Sequence, residues 1–175
     1  MAVLGVDDFK SKLRGGGARP NLFQCTLNFP VYAGGDAELT SFLVKTAQLP
    51  QSTITPLPVN FRGREVKMSG ERTFEDWTVQ VLNDTDFAIR DAIERWMNGI
   101  NGHAANTGLT NPVDYQADLI VEQLDRDGST LKRYDFRGAF PTVCGPIELS
   151  YDTVGEVEVF DVTFSYQYWE SNTTS

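Results

Sequence analysis

Phe160-Asp161-Val162-Thr163-Phe164-Ser165-Tyr166-Gln167-Tyr168 alternates apolar and polar side chains without a break. Successive side chains of a β-strand point to opposite faces, so Phe160, Val162, Phe164, Tyr166 and Tyr168 share one face of a long last strand. An aromatic row is also what single-strand nucleic-acid binders use to stack bases. The residues interleaved here, Asp161, Thr163, Ser165 and Gln167, carry no positive charge. The row therefore reads as the wall of a hydrophobic core.

The same period recurs upstream. Phe23, Cys25, Leu27 and Phe29 form one alternating set, Trp77, Val79 and Val81 a second, and Ala117, Leu119 and Val121 a third. Asp127-Gly128 is a hairpin turn, with residues 130–137 returning from it. Pro141 and Pro146 bracket a bend, and residues 147–151 are expected to pair with the last strand through a turn at Asp152–Gly155. After Gly34-Gly35-Asp36, residues 39–48 read as a further, mostly apolar strand ending at Pro50. One long stretch has the helical period: Ile89, Ile93, Trp96, Met97 and Ile100 form a single stripe, with Asn83-Asp84 to cap it and Gly99 and Gly102 to end it. The fold expected is mostly β: an antiparallel sandwich or half-barrel with one flanking α-helix.

Two segments flank a body that spans residues 19–170, and a third projects from within it. An arm over residues 1–18 carries Phe9 and Leu13 on a short helix capped by Asp7 or Asp8, and stops at Gly15-Gly16-Gly17. A tail covers residues 171–175. From about residue 50 to 72 the pattern breaks, because Pro50, Pro56 and Pro58 exclude a central strand. Arg62-Gly63-Arg64 marks the tip of a projecting excursion. Ten extended residues reach ~33 Å, about twice the ~16 Å radius of gyration of a compact chain this long. The excursion is expected to leave the body and to become ordered mainly on assembly.

Lys and Arg number 15 against 24 Asp and Glu, a net charge of −9. Proteins that grip phosphate backbones do so by neutralising them with Lys and Arg, so that class is disfavoured. No apolar run approaches the ~18 residues of a membrane span. The start, Met1-Ala-Val-Leu-Gly-Val-Asp-Asp8, lacks the basic and long apolar regions of a signal peptide, and export by the general route is not expected. Cys25 and Cys144 lie far apart and read as free thiols. His103, the only histidine, sits in a Gly/Asn loop with no orienting partner in sight, so a solvent-exposed loop residue is the expected reading. Asp125-Arg126-Asp127-Gly128 fails as a calcium loop, because its glycine comes too early and Phe136 stands where a glutamate is needed. The Gly15–Gly17 run leads to Arg19-Pro20 rather than a Lys-bearing helix, so it is no phosphate cradle. Acids are plentiful, but nothing singles out a catalytic pair. The expectation is a protein with no catalytic residue, metal or cofactor.

Several segments, in order, resemble the tail tube proteins of contractile-tailed, T-even-type bacteriophages. Arg19-Pro20-Asn21-Leu22-Phe23-Gln24 opens the match. Its most specific part is Gly70-Glu71-Arg72-Thr73-Phe74-Glu75-Asp76-Trp77-Thr78-Val79, followed by Val81-Leu82-Asn83-Asp84. Gly138, Pro141, Val143 and Gly145 keep the family's spacing. Leu149-Ser150-Tyr151-Asp152, Phe160-Asp161-Val162-Thr163 and Tyr168-Trp169-Glu170 complete it. The resemblance implies a structural subunit of a virion tail assembled in the host cytoplasm. Its strands would join those of five copies into a large barrel, as homohexameric rings that stack into a hollow tube. The implied partners are a contractile sheath, baseplate and tail terminator proteins, a tape-measure protein during assembly, and DNA that passes through the lumen without specific binding. Tube proteins of type VI secretion and other contractile injection systems look similar and form the alternative, an effector-carrying tube. An acidic β-sandwich enzyme is the third reading.

Charge is unevenly spread along the chain. Residues 1–72 hold 9 basic and 6 acidic side chains, a net +3, and residues 73–175 hold 6 and 18, a net −12. Contact between subunits is expected through Arg19, Arg62, Arg64, Lys67 and Arg72 on the basic side. On the acidic and aromatic side it is expected through Asp152, Glu156, Glu158, Trp169 and Glu170.

Overall fold

The structure is a computed structural model that describes residues 5–174. The alternating segments become strands β1 (Phe23–Leu27), β5 (Trp77–Leu82), β6 (Ala117–Leu124), β7 (Thr130–Cys144), β8 (Val159–Ser165) and β9 (Tyr168–Ser171). With the short β2 (Val44–Thr46) they form one antiparallel sheet in the order β1-β6-β7-β8-β5-β2, with β9 also on β7. The remaining strands, β3 (Ser52–Phe61) and β4 (Arg64–Phe74), pair only with each other. The helices are α1 (Val6–Lys12), α2 (Ala37–Leu43), α3 (Ala88–Ile100) and the single turn α4 (Pro112–Tyr115).

The sheet curls until it nearly closes, which makes it a half-barrel rather than two packed layers. Trp77 on β5 and Phe136 on β7 belong to strands that are not neighbours, yet their ring centroids lie 4.3 Å apart. Phe136 also meets Tyr166 edge-on at 4.9 Å. Trp77, Val79 and Val81 stand opposite Phe164, Val162 and Phe160 in register, and all six are buried. Helix α3 buries Ile89, Ala92, Ile93 and Trp96 against this wall, as its stripe predicts. The Trp96 indole N–H donates to the Tyr115 carbonyl at 2.6 Å, which satisfies the one polar atom of a fully buried side chain.

The region expected to be a strand over residues 39–48 is instead α2 followed by the three residues of β2. Asp36 decides it: its carboxylate accepts from the Glu38 and Leu39 N–H groups and caps the helix. The helix spans the gap between the two open ends of the sheet. Thr40, fully buried, accepts from the Leu27 N–H on β1 at 3.0 Å through its hydroxyl, which in turn donates to the Ala37 carbonyl. At the start of α1 the cap is Gly5 rather than Asp7 or Asp8; the Asp8 carboxylate accepts from the Gly5 N–H at 3.3 Å. In α3 it is Phe87 that occupies the cap position, while Asp84 accepts from the Ala88 N–H.

Three further expectations are corrected. The bend at Pro141 is a strand: β7 runs on to Cys144, with a register shift between Pro141 and Val143. Residues 147–151 pair with nothing and form no strand. The last strand is interrupted at Tyr166-Gln167, so Trp169 and Ser171, not Tyr168, continue its inner side. The cause lies across the sheet. Leu119 and Ala117 face Phe136 and Ala139, so β7 carries one extra residue there. Gly138 takes it up at φ +62°, in the left-handed region. This glycine bulge shifts which side chains face inward, and the neighbouring strand shifts with it.

A Cβ at Gly138 would stand 3.0 Å from Gln116 Oε1 and Gln167 Cγ. Gly138→Ala is expected to destabilise the isolated subunit by about 1–3 kcal/mol, the usual cost of a non-glycine residue held in such a conformation; urea titration measures it. Burial pushes the Cys25 thiol up to about 12 and the Tyr166 hydroxyl up to about 12. Both favour folding while neutral, so their contribution is complete below the unfolded values, roughly 8.5 and 10, and is lost as pH rises through the folded ones. The urea midpoint should therefore fall as pH is raised above about 8.5, and Cys25→Ala should flatten the first part of that fall.

Candidate functional site

The β3–β4 ribbon is exposed along its whole length except at Phe74. Its turn, Arg62-Gly63, has φ of +48° and +82°, the two positive angles of a type I′ hairpin. Register then sorts the blade into two faces. Leu57 faces Met68, Val59 faces Val66, and Phe61 faces Arg64, which makes one face apolar. Pro58 faces Lys67, Asn60 faces Glu65, and Pro56 faces Ser69 on the other. Phe61 is 64% and Leu57 56% exposed, so nothing among the described residues covers the apolar face. Both prolines lie at non-hydrogen-bonded positions of the ladder, where an N–H would point outward. Their rings remove those donors and blunt the outer edge of β3 against strand addition.

The root of the ribbon is fixed. The Trp77 indole N–H donates to the Gln48 carbonyl at 2.7 Å, and that of Trp169 to the Gln51 carbonyl at 3.3 Å. Phe74, at the far end of β4, packs against Tyr166 and Trp169 with centroids 6.1 and 6.4 Å away. Two indoles thus peg the entering strand, and one phenyl ring pegs the departing one.

Arg62, Arg64, Lys67 and Arg72 all lie on the exposed ribbon, and the Arg62 guanidinium rests 5.3 Å over the Phe61 ring. Among the described residues none of the four makes an ion pair within the chain. Asp152 and Glu156 are exposed on the segment 145–158, which has no strand or helix. Glu158 is half-buried and accepts from the Asn83 side chain at 3.0 Å. Arg19 is exposed, and its carbonyl accepts from the Gln123 amide. Trp169 and Glu170 work inside the chain: Trp169 at the ribbon root, and Glu170 accepting from Arg137 Nε at 3.1 Å. His103 is exposed, with its backbone N–H donating to Asn98 Oδ1. No cluster of His, Cys, Asp and Glu among the described residues is arranged to hold a metal ion.

The apolar face of the ribbon is the feature that sequence reasoning missed. Its signal was present, since Leu57, Val59 and Phe61 alternate with Pro58 and Asn60. The prolines drew attention to what the strand excludes rather than to what it displays.

An acidic, curled antiparallel body that holds out an amphipathic ribbon by a rigid root is a subunit made to be completed by other chains. Residues 18–172 match the family described as phage tail tube protein, and the chain belongs to that family. It is 34% identical over 167 residues to the tail tube protein gp19 of Enterobacteria phage T4, covering 94% of this chain and 99% of that one. A chain of the sheath–tube complex of the extracellular contractile injection system PVC, in its extended state, shares the fold. It superposes with a TM-score of 0.67 at 12% identity, over 96% of this chain and 97% of its own length. A chain of the six-fold symmetrised baseplate of the anti-feeding prophage does so with a TM-score of 0.61 at 10% identity, over 88% and 94%.

Removing the Trp169 ring should loosen the ribbon without unfolding the body. In Trp169→Ala, backbone amides at residues 52–55 and 71–74 are expected to exchange at least tenfold faster, while those of β6 and β7 away from β9 keep their protection; hydrogen exchange with mass spectrometry checks this.

Proposed function

We propose that the chain assembles into six-membered rings that stack as a hollow tail tube, the conduit for a phage genome inside a contractile sheath. The ribbon carries this reading. Six apolar side chains on it are exposed, Ile54 and the five of its apolar face, and four of them are half-exposed or more. Fully burying one such side chain stabilises by about 1.5–3 kcal/mol, so a ribbon left bare forgoes several kcal/mol and invites aggregation. A neighbouring copy removes both problems. Heterologous contacts between identical chains close into a ring when the rotation allows it, and the six-fold symmetry of the anti-feeding prophage baseplate supports the number six.

Charge supports a conduit over a binder. With a net charge of −9 the subunit repels duplex DNA rather than holding it. Antiparallel barrels of 16–18 strands already enclose an aqueous channel, so strands pooled from six chains leave room for a duplex. The reading extends to the sheath outside, baseplate and terminator proteins at the two ends, a tape-measure protein during assembly in the host cytoplasm, and no enzymatic role. The ribbon's basic residues and the acids at 152, 156 and 158 are the surface assigned to subunit contact.

Negative-stain electron microscopy and mass photometry test the assembly. Rings of six and tubes are expected at micromolar concentration and above. A monomer throughout, with no tube under polymerising conditions, overturns the proposal. Amides of residues 56–70, beyond the pegged root, should exchange rapidly in the isolated subunit and slowly in the tube. Protection of that segment already complete in the monomer removes the role given to the ribbon.

A further inference from the structure

Residues 146–157 form the second surface that this chain leaves open. The sequence pattern there is that of a strand, with Ile147, Leu149 and Tyr151 alternating with Glu148 and Ser150. No strand among the described residues takes it up. One main-chain hydrogen bond lies within it, from the Thr153 N–H to the Ser150 carbonyl at 3.4 Å. Ile147 packs on the core, while Leu149, Tyr151, Val154 and Val157 are largely or fully exposed. Between this segment and the outer face of β5 and β8 runs a cleft of about 440 Å³ whose lining includes Gln80, Ile147, Glu148, Glu156, Glu158 and Asp161. That is room for one or two side chains, not for a folded partner.

The ribbon has the complementary character in both respects. Residues 145–158 carry four acids and no Lys or Arg, a net −4. The ribbon, residues 52–74, carries four cations and two acids, a net +2. Each surface also offers a set of uncovered apolar side chains. Arg62 adds an independent observation. The first central position of a type I′ turn favours Asn, Asp or Gly, yet an arginine is held there at φ +48°. Local stability does not select that residue, and strain of this kind points to a role in contact.

We propose that residues 146–157 are the seat for the β3–β4 ribbon of a second copy of this chain. Arg62 and Arg64 at the tip enter the acidic cleft lined by Glu148 and Glu156. The apolar face with Leu57, Val59 and Phe61 covers Leu149, Tyr151 and Val154. The blunted edge of β3 favours such face-on seating over addition of a strand. Because seat and ribbon are different surfaces, the contact is head-to-tail and gives the assembly a polarity. The inference rests on the tube reading for its context but not for its test.

Two measurements on the full chain decide it. Arg62→Asn with Arg64→Glu keeps a turn-compatible residue at position 62 and reverses the charge beside it. This ribbon variant should polymerise at least tenfold less than the parent at 50 mM salt, and so should the seat variant Glu148→Arg with Glu156→Arg, each keeping the parent's circular dichroism. All four substitutions together should restore at least half of the polymer. Unchanged assembly in the ribbon variant, or no recovery in the combined one, overturns the proposal.

The second measurement does not depend on tubes. Phe61→Cys in one copy and Leu149→Cys in another, both with Cys144→Ser, are mixed and oxidised. A disulfide-linked dimer that forms in the mixture, and with neither variant alone, supports the seat even if no ring closes, in which case only the tube reading falls. Tubes that assemble from the mixture without the link overturn the seat and leave the tube reading standing. Absence of both tubes and link overturns both.

Discussion

The curl of the sheet depends on one glycine and one arginine beside it. Gly138 supplies the left-handed residue at which β7, still paired with β6 along one edge, changes partner along the other, from β9 before it to β8 after it. Its N–H donates to Asp118 Oδ1 at 3.1 Å, and the other oxygen of that carboxylate accepts from Arg137 at 2.6 Å. Arg137 also reaches Glu170 on β9. Those two carboxylates hold the guanidinium's proton even more firmly than usual, through hydrogen bonds first and charge second. The guanidinium is a little over a third exposed, so solvent screens much of the attraction. What the triad contributes is geometry: it ties β6, β7 and β9 together at the level where the strands bend. Without that bend Trp77 and Phe136 would not meet across the interior.

The sequence made legible whatever depends on one element alone. The alternation of Trp77, Val79 and Val81 and the stripe of Ile89, Ile93 and Trp96 needed no tertiary information, and both became the expected elements. Failures came where two elements decide jointly. Residues 160–168 keep a strict alternation, yet the strand breaks because its partner carries a bulge set by Gly138. Residues 39–48 satisfy strand propensity, but Asp36 caps a helix and Thr40 binds the edge of β1. Residues 147–151 look like a strand and lack a partner within the chain. The basic half of the candidate surface was visible as Arg62, Arg64, Lys67 and Arg72. Its apolar half was not, because a face exists only once cross-strand register is known.

Trp169 and Glu170 have contacts within the chain that the sequence did not reveal. Both stand near the end of the chain among acids and aromatics, which reads as surface. In the structure one pegs the ribbon root and the other joins the Arg137 cluster. Trp169 sets the direction in which the ribbon leaves the body, and a small change of angle at the root is magnified along a blade of ~33 Å.

That division between a pegged root and an uncovered blade carries a consequence for how a repeating assembly holds together. A single exposed ion pair contributes about 0.2–1 kcal/mol, too little to fix an orientation. The proposed ring would present six copies of every contact at once, so terms that are negligible singly become decisive when they are made or lost together. The sum helps only if all six ribbons arrive in the same geometry, because any spread in angle costs contacts in some of them. The buried aromatics around Trp77 and Phe74 make the angle a property of the fold, while the blade keeps the charges and apolar side chains that recognise a partner. On the proposed assembly, the rigid core is therefore where precision originates, and the ribbon is where affinity resides.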